Sequence, residues 1–325
     1  MNILMIGHGM MGTWHSEALA PLDVCLHTLV GRRPEPTAEF ASRFGYRKWT
    51  VDLKEALADS DIDAAIIANP SECHAETALA CIAAGKPTLV EIPIAMNIAD
   101  AERVVRAAEQ RQVTLGIVHP IRFQPGFEPL RERIRAGQEH IRHYAGRFFI
   151  HRLENVGVTG YRRSWTDNLL WHHITHLLDF GLWMLDLEST PLRAAYSFMP
   201  AVDARTGIPM ETVIAAETET DQSLVVTGSY YGRERLFDIL IVTNRDSYRL
   251  DIFKSLFATG AGEQVSEREQ SVCARLTQDF IEALAAGRQP RVSGRSVLPA
   301  MRMLQAVQDK WDAQYGVQSL PGRPL

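Results

Sequence analysis

NILMIGHGMMG, residues 2–12, decides the fold. Asn2–Ile6 is a short apolar run that reads as a buried strand. Gly7-His8-Gly9-Met10-Met11-Gly12 follows at once, and helical text runs on to about Ala20. A G-x-G-x-x-G turn after a strand and before a helix is the dinucleotide-binding fingerprint. Its glycines let backbone approach a pyrophosphate, whose charge is met by a helix N-terminus. A tight strand–helix turn with no ligand is the plainer alternative. Gly7, His8, Gly9, Met10, Met11 and Gly12 are therefore candidate cofactor-binding residues.

Strands and helices alternate outward from this turn. Val24–Val30 reads as a strand, Leu53–Ala58 as a helix and Ile62–Ala68 as a strand. Ser71–Ala84 reads as a helix, Thr88–Val90 as a strand, Ile98–Gln110 as a helix and Val113–Val118 as a strand. This order predicts a doubly wound parallel sheet with helices on both faces. The tip of the second strand selects the cofactor. NAD sites usually carry an acid there for the ribose 2′-hydroxyl. Here the tip reads Gly31-Arg32-Arg33, with Glu35 slightly late. Two arginines suit a 2′-phosphate, so NADP is expected, with NAD the alternative.

Past Phe123 the pattern changes. Phe127–Ala136 is helical, and Tyr144–His151, Glu211–Glu219, Ser223–Tyr231, Leu236–Thr243 and Ser247–Ile252 read as strands in succession. Hairpin-length links such as Thr220-Asp221-Gln222 and Asn244-Arg245-Asp246 predict an open, mostly antiparallel sheet. The expected organisation is a Rossmann domain over 1–122 and an α+β substrate-binding and oligomerisation domain over 123–325. A helix at 297–311 is a candidate to return to the first domain. A sheet with one uncovered face invites a homodimer or homotetramer.

Composition narrows the function classes. A net charge of −5 with no basic stripe argues against nucleic acid and anionic lipid. No apolar run approaches bilayer length, and the N-terminus lacks the cationic start of a signal peptide. Cys25, Cys73, Cys81 and Cys273 fall at no metal or redox spacing, as in a reduced cytoplasmic protein.

In its motifs the chain resembles the Gfo/Idh/MocA oxidoreductase family. The glycine turn and His15 match its fingerprint, and Asn69-Pro70 with His74 looks like its loop beside the nicotinamide. Glu91-Ile92-Pro93 stands where the family has Glu-Lys-Pro. Arg122-Phe123 resembles its Arg-Arg-Phe, with Ile121 in place of the first arginine, and His176 with Asp179 matches its His-x-x-Asp. VEIPIA (90–95), HPIRFQP (119–125) and RRSWTDNLLWHHITHLLD (162–179) are similar to a branch acting on carboxylated semialdehydes from aromatic-ring cleavage. The resemblance implies oxidation of a cyclic hemiacetal to a lactone by hydride transfer. It also implies cofactor contacts from Asn69, Pro70, His74, Glu91 and Pro93, and His119, at a strand's end, is a further candidate cofactor-lining residue or a turn residue before Pro120. A sugar or polyol dehydrogenase and a non-catalytic NADP-binding regulator are the alternatives.

In most of the family a Lys, an Asp and a His four residues later act together. Here Ile92 replaces the Lys and His172 the Asp. Without the ammonium a carboxylate near bound anions would lack its counter-charge, and a neutral imidazole avoids that cost. On a regular α-helix, capped by Thr166 or Asp167, His172, His176 and Asp179 share one face. His173 would stand about 100° away. His176 is the expected general base and His172 its partner or alternative, with Asp179 orienting an imidazole. Histidines at i, i+4 are also metal-ligand spacing, but His-Glu-x-x-His is absent and no metal is expected. Arg122 and Arg163 are expected to bind substrate carboxylate, with Trp165, Thr166 and His173 as pocket wall.

Overall fold

The computed structural model describes residues 1–156, 168–186 and 192–316. The chain divides into two compact units. The first comprises Met1–His119 and Cys273–Leu298, and the second Pro120–Val272 and Pro299–Leu325.

In the first unit, β1 (Asn2–Ile6), α1 (Met10–Leu19), β2 (Cys25–Val30), α2 (Pro34–Phe44), β3 (Lys48–Thr50) and α3 (Leu53–Leu57) come first. They are followed by β4 (Ala64–Ile67), α4 (His74–Ala83), β5 (Thr88–Val90), α5 (Ile98–Arg111) and β6 (Leu115–Ile117). The six strands pair in parallel in the order β3-β2-β1-β4-β5-β6. Every residue of β4, and all of β1 after Asn2, is buried, as strands covered on both faces require. The strand order reverses direction between β1 and β4. Ligands of open α/β sheets bind at such a switch point, outside the carboxyl ends of the strands.

Late in the chain, Cys273–Leu298 rejoins the first unit. Ile117 N donates to Val292 O at 2.9 Å and Gly294 N to Leu115 O at 3.0 Å. These bonds occupy part of the open edge of β6, which would otherwise present unpaired backbone.

The second unit contains α6 (Glu128–Arg135), β7 (Ile141–His151), α7 (Thr175–Met184), β8 (Leu192–Phe198), β9 (Glu211–Thr218) and β10 (Ser223–Ser229). It continues through β11 (Tyr231–Thr243), β12 (Ser247–Asp251), β13 (Leu256–Thr259) and β14 (Gly262–Val265). The long α8 (Glu269–Ala286) lies mostly in the first unit, and α9 (Leu298–Tyr315) closes the second. The sheet order is β14-β13-β12-β11-β7-β10-β9-β8, antiparallel throughout except for β7 beside β10. Alternate residues of β9 and β10 are buried, so one face of the sheet is core.

α7 lies on that face at close range. Tyr144 OH donates to Leu177 O at 2.7 Å. A Cβ placed on Gly181 would stand 2.6 Å from the Tyr144 ring and 2.8 Å from Leu224. The missing side chain is what permits the approach. Gly181→Ala should therefore lower stability by about 1–3 kcal/mol through overpacking. Urea unfolding would show a lower midpoint with an unchanged slope.

Candidate functional site

The glycine turn closes by direct backbone contact. Gly7 has φ +107°, and a Cβ there would lie 2.3 Å from Ala68 O, at the end of β4. A Cβ on Gly12 would lie 2.5 Å from Gly7 O. These two glycines are required by the protein's own packing. Gly9 is different: nothing stands within 4 Å of where its Cβ would be. Gly9 is also the N-cap of α1, with no side-chain cap and no acid in the first turn. An open backbone cradle at a helix N-terminus without competing carboxylates fits a pyrophosphate. His8, Met10 and Met11 are partly exposed around this turn.

Gly31 ends β2 against the His8 ring. A Cβ on Gly31 would meet Thr37 Oγ1 at 1.9 Å and His8 at 2.7 Å. Burial holds the His8 imidazole below its ordinary pKa; a backbone hydrogen bond opposes this, and the charges of Arg33 and Arg32 add to it. Both arginines are exposed and near enough to His8 to act on it electrostatically. Arg33 caps α2, a helix that the sequence reading passes over, and Glu35 stands in the first turn of that helix.

Two segments extend β4 and β5. Asn69 is partly exposed and Pro70 exposed, while Glu91, Ile92 and Pro93 are buried, with a cis Ile92–Pro93 bond. The Glu91 side chain turns inward. His15 Nε2 lies 2.8 Å from Glu91 Oε1, and His15 Nδ1 lies 2.8 Å from Thr277 Oγ1. His15 and Glu91 are both buried, so Glu91 ties β5 to α1 and its carboxylate is engaged inside the protein rather than held out for a cofactor. His74 is likewise 1% exposed, with both ring nitrogens on backbone carbonyls. The side chains of Glu91 and His74 are thus both engaged within the first unit. His119, after β6, is buried.

In the second unit the histidine segment is not the regular helix expected. Leu170–Ile174 is a π-turn leading into α7. Such turns recur at functional sites and change the helical phase. Asn168 Oδ1 accepts from Leu170 N at 3.0 Å and Trp171 N at 3.4 Å, and the expected caps Thr166 and Asp167 lie outside the described residues. His173 does not point away from His172. Their ring centroids are 4.2 Å apart, edge to face. His173 also stacks on Phe148 at 3.9 Å, and its Nδ1 lies 2.8 Å from Tyr230 OH. His172, His173 and His176 are all half-buried. Phe148 and Tyr230 are missed by the sequence reading because each looks like ordinary strand text. Arg163, Trp165 and Thr166 lie outside the described residues.

Arg122 and Asp179 occupy each other. Arg122 Nε and Nη2 donate to Asp179 Oδ2 and Oδ1 at 2.8 and 2.6 Å, with both side chains 1% exposed. The Arg122 guanidinium also lies 5.4 Å from the Trp183 ring. A fork engaged in a buried carboxylate fastens α7 to the 3₁₀ turn over Pro120–Phe123.

The first unit is thus a Rossmann sheet with an open phosphate cradle, and the second is built on an eight-stranded sheet. Residues 1–119 match the oxidoreductase family, NAD-binding Rossmann fold, and residues 125–237 match bacterial oxidoreductases, C-terminal. The chain is 31% identical to 4-carboxy-2-hydroxymuconate-6-semialdehyde dehydrogenase of Sphingobium sp. (strain NBRC 103272 / SYK-6), over 97% of this chain and 100% of that one. It belongs to the Gfo/Idh/MocA oxidoreductase family. Myo-inositol 2-dehydrogenase of Thermotoga maritima is 30% identical over 42% of this chain and 41% of its own. Among solved structures, levoglucosan dehydrogenase in complex with NADH and levoglucosan superposes with a TM-score of 0.84 at 18% identity, covering 97% of this chain and 98% of that one. That likeness is one of fold.

The buried ion pair makes a direct prediction. Arg122→Ala leaves Asp179 buried without its partner and should cost about 3–5 kcal/mol in chemical denaturation. Arg122→Lys should recover little, because an ammonium cannot reproduce the two-pronged geometry. Arg122→Met combined with Asp179→Leu should cost less than the sum of the single changes.

Proposed function

We propose that this chain is an NADP-dependent dehydrogenase oxidising a carboxylated cyclic hemiacetal. The substrate is 4-carboxy-2-hydroxymuconate-6-semialdehyde in its ring-closed form or a close analogue, and the product is the corresponding lactone. The full-length match to the Sphingobium enzyme carries the substrate class, since it spans both units. The preference for NADP rests on Arg32 and Arg33 at the end of β2, beside His8, with no acid at the tip.

The residues that would hold the dinucleotide are the backbone of Gly7–Gly12 for the pyrophosphate, Arg32 and Arg33 for the 2′-phosphate, and the segments after β4 and β5 for the nicotinamide. The nicotinamide supplies the hydride acceptor. His176 takes the hydroxyl proton of the hemiacetal, which leaves the carbonyl of the lactone as hydride departs from the same carbon. His172, held edge-on to His173, orients that imidazole or stands in for it. Arg163 binds a substrate carboxylate, and Trp165 and Thr166 line the pocket. With Arg122 committed to Asp179, the carboxylate-binding role falls to the arginines of 162–163.

The outer face of the second sheet is the proposed meeting surface for copies of the chain. Tyr196 and Phe198 on β8, 66% and 56% exposed, lie on the same face as Val213 of β9. A homodimer or homotetramer would cover them.

A second reading, a sugar or polyol dehydrogenase, draws on the inositol dehydrogenases among the relatives. A screen of ring-cleavage semialdehydes and polyols with NADP and NAD, following reduced cofactor, separates the two. Turnover with semialdehyde and NADP is expected; turnover confined to polyols would replace the substrate assignment. Cofactor binding without turnover on any substrate would favour a regulator. His176→Ala should lower kcat by about 10²–10⁴ with cofactor affinity unchanged. Removing either arginine by Arg32→Ser or Arg33→Ser should raise the KM for NADP by about tenfold or more and leave that for NAD near its original value.

A further inference from the structure

We infer that His74 is a positioning residue: by bridging Asn69 O and Pro93 O it fixes the shelf on which the nicotinamide half of the dinucleotide rests. The inference rests on the dinucleotide-binding reading of the first unit.

His74 begins α4, behind a 3₁₀ turn over Ser71–Cys73. Its Nδ1 lies 2.6 Å from Pro93 O and its Nε2 2.9 Å from Asn69 O. Asn69 stands just past β4 and Pro93 just past β5. One ring thus spans the extensions of two neighbouring strands. Carbonyl oxygens only accept, so both contacts are hydrogen bonds when both ring nitrogens carry hydrogen, and one is when a single nitrogen does. At 1% exposure the ring has no face to offer a ligand. Its effect passes through the backbone it holds.

The segment it holds is fixed a second time. Glu91, two residues before Pro93, is bound by His15 from α1. Two imidazoles from two helices therefore clamp Glu91-Ile92-Pro93. The side chain between them, Ile92, is apolar, 9% exposed and incapable of acid–base chemistry. A segment held this firmly around an inert side chain serves through its position. In a doubly wound sheet the β1–β3 half takes one mononucleotide and the β4–β6 half the other. With Arg32 and Arg33 marking the adenosine side at β2, the extensions of β4 and β5 fall on the nicotinamide side.

The test compares whole and half cofactor. Wild type, His74→Ala and His74→Gln are titrated with NADPH and NADH, following dihydronicotinamide fluorescence, and with 2′-phospho-ADP-ribose and ADP-ribose by calorimetry. His74→Ala should weaken the preferred reduced cofactor about tenfold and abolish its change in emission on binding, while the fragment's affinity stays within about twofold. His74→Gln, which keeps one donor group, should fall between. Equal losses for cofactor and fragment, or no loss for either, would overturn the inference. Retained fragment binding shows that the variant is folded, and should His74→Ala not fold, His74→Gln decides alone by the same comparison. A wild-type protein that binds neither dinucleotide would reject the dinucleotide-binding reading itself.

Discussion

The structure of the first unit depends on a close backbone approach, in which Gly7 presses against the carbonyl of Ala68 where β1 and β4 end. No side chain fits there, and the positive φ of Gly7 is one that other residues rarely adopt. That contact brings the first turn of α1 over the switch point of the sheet. Gly12, against Gly7 O, keeps the helix near the strand. Gly9, with open space around it, is the member of the motif left for a ligand. Three glycines in six residues thus divide their work: two serve packing and one serves access.

The second unit solves a different problem, that of placing imidazoles at fixed angles on a helix that covers a sheet. The π-turn over Leu170–Ile174 alters the phase, and Asn168 anchors its start. Aromatic packing then sets the rings, with Phe148 beneath His173 and Tyr230 at its Nδ1. One turn further on, the Arg122–Asp179 pair fastens α7 to the 3₁₀ turn over Pro120–Phe123. A charge pair this deeply buried tolerates little displacement, because separating it exposes each ion to a medium that solvates it poorly. The pair therefore does more to fix the helix than to bind a ligand.

Most of this architecture is legible in the sequence wherever a local pattern controls it. β1 and β5 match the expected limits, and β2, β6, α5 and β9 lie within a few residues of them. The reading fails where a long-range contact decides. α2 begins on Pro34 just past the end of β2, with Arg33 at its N-cap, a position that a polar side chain other than arginine more often marks. The short β13 and β14 exist through pairing with β12 and with each other, and their four-residue runs carry no signal of their own. The return of Cys273–Leu298 to β6 is fixed by backbone bonds that leave no trace in composition. In the site, residue types were found but directions were not. Glu91 and His74 stand out by motif, but that one faces His15 and the other two carbonyls depends on contacts distant in the chain.

Where the resemblance to the family implies a lysine and an aspartate, this chain has Ile92 and His172. A lysine and an aspartate cancel one another, so replacing them by Ile92 and His172 leaves the formal charge unchanged while removing two ions. On the proposed chemistry, an imidazole that accepts the hydroxyl proton becomes a cation where there was none. Beside a substrate carboxylate that new charge is attracted, and the attraction grows as the proton moves. An aspartate in the same role would instead begin as an anion facing anions and would need the missing ammonium to be tolerated. On the proposed function, the exchange suits an acidic substrate, whose carboxylate would meet the imidazolium that forms.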